Sequence, residues 1–253
     1  MRALLVGLTF LLVTPTIGGL VFVAAMLRLP DRRGSIYDWG PRLWAKAILW
    51  AGGVRLHLHN AERISRDGAR IYVANHISLF DVFALAGVLP RSKWIAKAEL
   101  LRIPIFGPAA KAAGMIFIER NNRKAAFAQY EKAARTIQAG ASVIVCPEGT
   151  RGDGYALRPF KKGPFVLAIA AGVPIVPTIV YGTIAVHPKG ARRVRAGDVH
   201  LHFLDEIPTD GYGYDQRGEL AQLTWDRMAE ALHDVYGVAS AAVPDRDPAG
   251  VAE

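Results

Sequence analysis

The sequence predicts an α/β fold: a layered domain with a mixed, largely parallel sheet and flanking helices, preceded by an N-terminal membrane-associated helical segment. Two observations support this fold class. Between residues 54 and 236, short apolar runs alternate with longer segments of helical character, and such alternation is typical of parallel strands joined by helices. Separately, residues 3–27 include no charged side chain, which distinguishes this segment from the rest of the chain.

The first elements of the domain follow from local patterns. Residues 54–59 alternate polar and apolar side chains like a half-exposed strand, and a second strand is expected at 70–74, where a short apolar run follows Arg70. A helix near 79–89 follows, because Ser78 and Asp81 have the spacing of a capping box. The alternation continues with a strand near 93–96, a helix near 105–113 and a strand at 115–118.

The later elements continue the same alternation. Asn121 or Asn122 is expected to cap a helix that runs to about Gln138 and stops at Gly140. The remaining predicted elements are a strand at 142–146, a helix at 164–171, strands at 175–181 and 199–204, and a helix near 215–236. Residues 240–253 are expected to be a disordered tail.

The uncharged N-terminal run predicts a membrane anchor. At helical rise its 25 residues extend about 37 Å, enough to cross the hydrocarbon of a bilayer. Pro15 near its middle leaves two forms open, a kinked span or two short helices in a re-entrant hairpin. A cleaved signal peptide is disfavoured, since the run is longer than a usual signal core.

Basic residues flank the anchor unevenly, with Arg28, Arg32 and Arg33 after it and Arg2 before it. This asymmetry predicts a cytoplasmic (inner) membrane protein whose following domain is cytoplasmic. Residues 41–54 mix Trp with Arg and Lys, as either an interfacial helix or an ordinary packed helix would. The expected division is residues 1–53 as anchor and interfacial helix, 54–239 as the α/β domain and 240–253 as tail.

Charge predicts anionic partners. The net charge is +9, and residues 91–135 hold ten Lys and Arg against three Glu. Anionic lipid headgroups and phosphate-bearing substrates suit such a surface. Nucleic acid is not expected as a partner, because no zinc spacing, base-stacking motif or helix-turn-helix accompanies the charge. The single cysteine, Cys146, excludes an intramolecular disulfide framework and a cysteine-based metal cluster.

An imidazole and a carboxylate occur five residues apart in the segment NHISLFD, residues 75–81. On a regular helix His76 and Asp81 would point about 140° apart, so they converge only if a strand-to-helix junction bends between them. A His held by an Asp in this way can act as a general base. The alternative is structural: Asn75, Ser78 and Asp81 cap the helix, and His76 bonds a main-chain carbonyl.

Three further motifs follow in order: GMIFIER at residues 114–120, VCPEGTR at 145–151 and VPIVP at 173–177. His76, Glu119 with Arg120, and Glu148 to Arg151 each follow a predicted strand, so their loops are expected to share one cleft. Together with the first, these motifs resemble the four motifs of the glycerolipid acyltransferase family, nearest to bacterial members that acylate 1-acyl-sn-glycerol 3-phosphate. The resemblance covers roughly residues 75–177.

The resemblance implies roles for the motif residues. His76 would deprotonate an acceptor hydroxyl with Asp81 orienting it, and the alkoxide would attack a thioester without an acyl-enzyme. Residues assigned to substrate binding are Asn75, Ser78, Arg120, Glu148, Gly149, Thr150, Arg151 and Lys161, with Pro174 and Pro177 linked to donor binding. For several of them a structural role is the alternative: Arg120 could pair with a surface Glu, Glu148 could cap a turn, and Lys161 could lie in a solvated turn.

The expected reaction moves a fatty acyl group from acyl-CoA or acyl carrier protein to the 2-hydroxyl of 1-acyl-sn-glycerol 3-phosphate at an anionic membrane. No cofactor and no metal are expected, because no His, Asp and Glu cluster has ligand spacing. Cys146, where an aromatic is common, and Gly152, where Ser is frequent, depart from the family pattern. The alternatives are acylation of another lysolipid, such as lyso-ornithine lipid, and a non-catalytic lipid-binding protein.

Overall fold

The computed structural model describes residues 1–65, 67–119 and 123–241, with the main chain alone for residues 123–128, 131 and 132. Over this part of the chain one sheet contains seven strands. The strands are β1 Val54–His59, β2 Ile71–Ala74, β3 Ser92–Lys97, β4 Ile116–Ile118, β5 Ser142–Val145, β6 Ile175–Tyr181 and β7 Gly197–Phe203. The helices are α1 Arg2–Met26, α2 Ile36–Gly52, α3 Phe80–Val88, α4 Phe106–Ala112, α5 Arg123–Gln138, α6 Gly163–Ala171, α7 Thr183–Val186 and α8 Arg217–Tyr236.

The strand order is β1-β7-β6-β2-β5-β3-β4. Five of the six neighbouring pairs are parallel, and only β6 and β7 run antiparallel. This confirms the prediction of a mixed, largely parallel sheet with flanking helices. The central strands β2 and β5 are buried throughout, as strands covered by helices on both faces must be.

Two apolar cores lie on opposite faces of the sheet. Alternate residues of β2 divide between them, since Ile71 and Val73 belong to the core beneath α5, α6 and α8, whereas Tyr72 and Ala74 belong to the core beneath α2 and α3. The period of two in side-chain direction along a strand produces this division. The domain is therefore layered, with helices on both sides of the sheet.

Each predicted strand is present, and most helix ends agree to within two residues. The expected caps Asn121 and Asn122 lie outside the described residues. The structure also contains α7 and three short 3₁₀ helices, Ala61–Arg63, Ala98–Arg102 and Tyr214–Gln216, which the sequence analysis missed. Elements of three to five residues are too short to show a hydrophobic period.

The helix expected at residues 41–54 begins earlier, as α2 at Ile36, with Pro41 inside it. Ser35 has extended geometry at the N-cap, so the helix starts there rather than at the proline. Its residues Ala45 and Ile48 are fully buried, whereas Trp50 is 73% exposed. The helix thus packs on the domain and still presents an aromatic side chain at the surface.

The N-terminal apolar run forms one continuous helix, α1, despite Pro15 inside it. By length and composition it is the one helix of the described residues that could cross a membrane. One side of α1 packs on the domain: Thr14 accepts a hydrogen bond from Trp44 Nε1 (2.9 Å), and Gly18 lies against Ala109 of α4. The other side exposes large apolar residues, among them Leu4, Leu8, Leu11, Leu12 and Val23.

The link between α1 and α2 is fastened to the sheet by charged groups. Lys93 of β3 is 2% exposed, and its ammonium contacts the Asp31 carboxylate at 2.8 Å and donates to Ala113 O at 2.7 Å. Asp38 accepts hydrogen bonds from the N–H groups of Gly34 and Arg91. A buried lysine needs such partners, because an unpaired charge in the interior is costly. The N-terminal helices therefore dock on the domain through specific contacts.

Candidate active site

The segment after β2 bends as the spacing of His76 and Asp81 required. The strand ends at Ala74 and α3 begins at Phe80. Across this bend His76 Nδ1 lies 2.9 Å from Asp81 Oδ2. Because the Asp81 carboxylate is an acceptor, Nδ1 carries the proton and donates it, which leaves Nε2 as the basic nitrogen.

Asp81 is fully buried and is held by several donors. Its Oδ2 also accepts the N–H groups of Ile77 at 2.7 Å and Ser78 at 2.8 Å. Its Oδ1 accepts the hydroxyl of Thr183 at 2.5 Å. Charge-assisted bonds of this kind are short and directional, and here they satisfy both oxygens of the buried carboxylate.

Asn75 and Ser78 hold the loop through hydrogen bonds to other elements of the fold. The Asn75 amide bonds both main-chain groups of Val180 in β6, donating to its O (2.9 Å) and accepting from its N–H (2.7 Å). The Ser78 hydroxyl donates to His187 O at 2.7 Å. Both side chains are fully buried, so they anchor the loop, and the substrate contact expected for them stays a prediction.

The third motif is joined to the main chain of His76 at two points. His76 N–H donates to Glu148 Oε1 at 3.0 Å, and Gly152 N–H donates to His76 O at 2.8 Å. Glu148 is 5% exposed. Burial raises the pKa of Glu148 to about 7, although the N–H and the charge of His76 act in the opposite direction. Glu148, which was expected to bind the acceptor, thus accepts a hydrogen bond from the main chain of His76.

A cavity of about 520 Å³ opens beside His76. Its size is within the range of small-molecule sites. The residues that line it are mostly apolar and come chiefly from helices α1 to α4, from strand β3 and the 3₁₀ helix after it, and from the loops after β2 and β5. They are Phe10, Trp44, His76, Leu79, Val82, Phe83, Trp94, Ile95, Ala96, Lys97, Leu100, Ile103, Phe106, Met115, Cys146, Gly149, Thr150 and Arg151.

Among the described residues, two cationic side chains line this cavity, Lys97 at the end of β3 and Arg151 in the third motif. Both are suited to a phosphate, Arg151 by a forked pair of donors and Lys97 as a point charge. Gly149, with φ of +76°, brings the loop close to Lys161: a Cβ there would lie 2.8 Å from Lys161 Cε and 3.0 Å from Nζ. Lys161 therefore lies beside the cavity without lining it.

The structure brings His76, Gly149, Thr150 and Arg151 together in the cavity, but not every predicted residue. Pro177 lies within buried β6, paired with Val73, and Pro174 precedes that strand at the opposite end of the sheet from His76. Neither lines the cavity. Any effect of these prolines on donor binding is therefore indirect, through β6. Arg120, predicted to bind the acceptor phosphate, lies outside the described residues.

The residues of this site that the sequence analysis missed include Lys97, Thr183, Phe10 and Trp44. Lys97 follows a predicted strand, the same signal that selected the other loops, and could have been found by it. Thr183 comes after β6 in a helix too short to predict. Phe10 and Trp44 belong to the N-terminal helices, and only the packing of α1 and α2 on the domain brings them to the cavity.

Away from this cavity, four histidines share one face of β1 and β7. The parallel register pairs His57 with His200 and His59 with His202. Their rings stack, and His202 Nε2 lies 2.7 Å from the Tyr236 hydroxyl. Within the part of the chain that the structure describes, no group of three or more His, Cys, Asp and Glu side chains could hold a metal ion.

Comparisons with known proteins agree with this architecture. A family model described as Acyltransferase matches residues 55–181. The 1-acyl-sn-glycerol-3-phosphate acyltransferase of Haemophilus influenzae is 31% identical over 86% of this chain and 88% of its own, and 1-acyl-sn-glycerol-3-phosphate acyltransferase alpha of Homo sapiens is 34% identical over 77% of this chain and 68% of its own.

A solved structure gives the same result. The crystal structure of the 1-acyl-sn-glycerophosphate (LPA) acyltransferase PlsC from Thermotoga maritima superposes with a TM-score of 0.76 at 25% identity, and the match covers 95% of this chain and all of that one. The matched residues of the family model include His76, Asp81, Glu148 and Arg151. The chain therefore belongs to the acyltransferase family, as its four motifs predicted.

Proposed function

We propose that this protein transfers a fatty acyl group from a thioester donor, acyl-CoA or acyl carrier protein, to the 2-hydroxyl of 1-acyl-sn-glycerol 3-phosphate, which yields phosphatidic acid. One observation carries the proposal: the His76–Asp81 pair lies at an apolar cavity whose wall also presents Lys97 and Arg151. The site thus offers an apolar surface to an acyl chain, two cations to a phosphate and a base to the acceptor hydroxyl. The relatives named as 1-acyl-sn-glycerol-3-phosphate acyltransferases support this acceptor.

In the proposed mechanism the His76 imidazole acts as the general base. Nδ1 donates to Asp81, so His76 Nε2 takes the proton of the acceptor hydroxyl as its oxygen attacks the thioester carbonyl. The resulting tetrahedral intermediate expels the thiolate, which recovers that proton from the imidazolium. The carbon–sulfur bond breaks, the ester bond forms, and His76 returns to its neutral state.

Direct transfer, without an acyl-enzyme, is part of the proposal. Cys146 lines the cavity and is the nucleophile that an acyl-enzyme route would use. We expect Cys146→Ala to keep most of the activity, and we expect no acylated protein in rapid-quench mass spectrometry with donor alone. A burst of acyl-Cys146 would contradict direct transfer while leaving the overall reaction intact.

We also infer that α1 lies in the plane of the membrane. Its exposed leucines suit hydrocarbon, while its other side packs on α2 and α4. Its amino end is also near the domain, because the Arg2 guanidinium lies close to Gly53. Contacts at both ends and the middle favour an interfacial helix over one that crosses the bilayer. The arginines after α1 support a cytoplasmic location of the domain.

The experiment is acyl transfer by purified protein in phospholipid vesicles, with long-chain acyl-CoA and 1-acyl-sn-glycerol 3-phosphate. We expect phosphatidic acid from the native protein and a loss of about 100-fold or more in His76→Ala. His233→Ala is the matched control, since His233 also contacts a neighbouring carboxylate, Asp234, but is exposed. Turnover of only a phosphate-free lysolipid would overturn the acceptor and keep the base.

A further inference from the structure

Thr183 makes a contact that the mechanism above does not use. It is the first residue of α7, and its side chain is fully buried. Its hydroxyl donates to Asp81 Oδ1 at 2.5 Å, whereas His76 and the two main-chain N–H groups all bond to Oδ2. The two carboxylate oxygens therefore have separate partners.

Two other buried threonines bond only within their own strand or helix. The hydroxyl of Thr178 donates to Val176 O, and the hydroxyl of Thr224 donates to Leu220 O. These are local bonds to the main chain, the usual way in which a buried threonine satisfies its donor. Thr183 instead reaches across 102 positions of sequence to the carboxylate that holds the proposed base.

We propose that Thr183 is a positioning residue for the acyl-transfer reaction, one that fixes the Asp81 carboxylate so that Oδ2 stays directed at His76. The inference rests on the proposed function. Rotation of the Asp81 carboxylate about its Cβ–Cγ bond moves both oxygens together, so a donor on Oδ1 adds a further constraint to that of the three donors on Oδ2. The Thr183 hydroxyl supplies that constraint from a different element of the fold.

The turn that carries Thr183 is itself fixed in place. Gly182 has φ of +95°, and a Cβ there would lie 2.1 Å from Asp198 O in β7, so the chain needs glycine at this position. Gly182 N–H donates to the Tyr155 hydroxyl at 3.0 Å. At the other end of α7, His187 O accepts the Ser78 hydroxyl. The Thr183 turn is thus held by β7 and by the His76 loop.

The expected consequence of losing the hydroxyl concerns the chemical step. Thr183→Val keeps the shape of the side chain and removes the donor to Asp81. We expect kcat to fall about 10-fold with KM for the acceptor unchanged, because Thr183 does not line the cavity. The acid limb of the kcat profile should move to higher pH. Without the Thr183 hydroxyl as a donor, the charge of the Asp81 carboxylate stabilises the His76 imidazolium more strongly.

The test compares Thr183→Val, Thr183→Ser and the control Thr224→Val, which removes a buried hydroxyl from α8. Steady-state kinetics over the pH range are paired with proton NMR of the His76 Nδ1–H, assigned by its absence in His76→Ala. We expect Thr183→Val alone to show lower kcat, a displaced acid limb and a shifted Nδ1–H resonance. Thr183→Ser should restore all three.

Native kinetics and an unmoved resonance in Thr183→Val would overturn the inference. So would a Thr183→Ser variant as impaired as the valine one, because the serine hydroxyl can still reach Asp81. The NMR measurement needs no turnover. An inactive native protein would therefore count against the proposed function alone, while the resonance still decides the role of Thr183.

Discussion

At the scale of single residues, His76 is held at two points: Asp81 accepts a hydrogen bond from its imidazole, and Glu148 accepts one from its main-chain N–H. His76 and Asp81 were predictable because five-residue spacing and a strand before them leave one way to converge. The contacts of Glu148 and Asn75 were not predictable, because these side chains bond main-chain groups of His76 and Val180, which the motifs do not reveal. Both side chains hold the loop that carries the base, and the substrate contact expected for them stays a prediction.

Glu148 makes stability depend on pH. Its pKa in the folded protein is about 7, against an ordinary value of 4.5. Between these values the folded state keeps a proton that the unfolded state has released, so stability falls as pH rises from about 4.5 to about 7. We expect Glu148→Gln to remove this fall, which amounts to at most about 3 kcal/mol.

The measurement is the thermal midpoint of the native protein and of Glu148→Gln at pH values on both sides of that window. Glu219→Gln, at an exposed position on α8, is the control and should follow the native curve. Parallel curves for the native protein and Glu148→Gln would show that the buried carboxyl does not titrate in this range.

Substitution of Arg151 tests whether this residue binds the phosphate of the acceptor. Replacing it with Gln removes the forked donors that suit a phosphate while keeping a polar side chain of similar length. We expect the KM for 1-acyl-sn-glycerol 3-phosphate to rise about 10-fold or more. The rate with a phosphate-free lysolipid should change little, and exposed Arg192→Gln should resemble native protein. Equal losses of activity with both acceptors would argue that Arg151 does not bind the phosphate.

At the scale of elements, strands were predicted more completely than connections. Apolar runs marked the central strands, because these are buried on both faces of a layered sheet, whereas alternation marked the half-exposed edge strand β1. Helix α7 was not predicted, although it begins with Thr183 and is followed by His187, whose carbonyl accepts the Ser78 hydroxyl. How α2 packs was also unpredictable, because tryptophan suits both a core and a membrane surface.

Helix α2 offers a matched pair of tryptophans to test the cavity. Trp44 lines it, whereas Trp50 is 73% exposed. Trp44→Ala should lengthen the apolar space and shift donor preference toward longer acyl chains, and Trp50→Ala should leave the preference unchanged. Competition between acyl-CoA donors of two lengths measures the ratio directly. An unchanged ratio in Trp44→Ala would place the acyl chain elsewhere.

At the scale of the whole molecule, fold class followed from sequence, but the arrangement of the N-terminal helices did not. An uncharged run of this length predicts membrane contact without fixing its geometry. The docking of α1 depends on tertiary partners such as Trp44, and the α1–α2 link depends on the buried contact of Lys93 with Asp31. Neither is visible in local pattern.

The exposed side of α1 should determine membrane binding. Leu12 is 68% exposed, so Leu12→Glu should leave the fold intact and lower the fraction of protein that sediments with phospholipid vesicles. Val235→Glu on α8, at a 54% exposed position, is the control and should bind as native protein does. Equal sedimentation of both variants would indicate that α1 does not contact the lipid.

Phe10 lies on α1, and that helix both faces outward with its leucines and lines the cavity beside His76. Under the proposed function, the acceptor and the phosphatidic acid product can exchange with the lipid leaflet laterally, without dissolving in water. The turnover rate would then follow the mole fraction of acceptor within the bilayer, and diluting the vesicles at constant composition would leave the rate per bound enzyme unchanged.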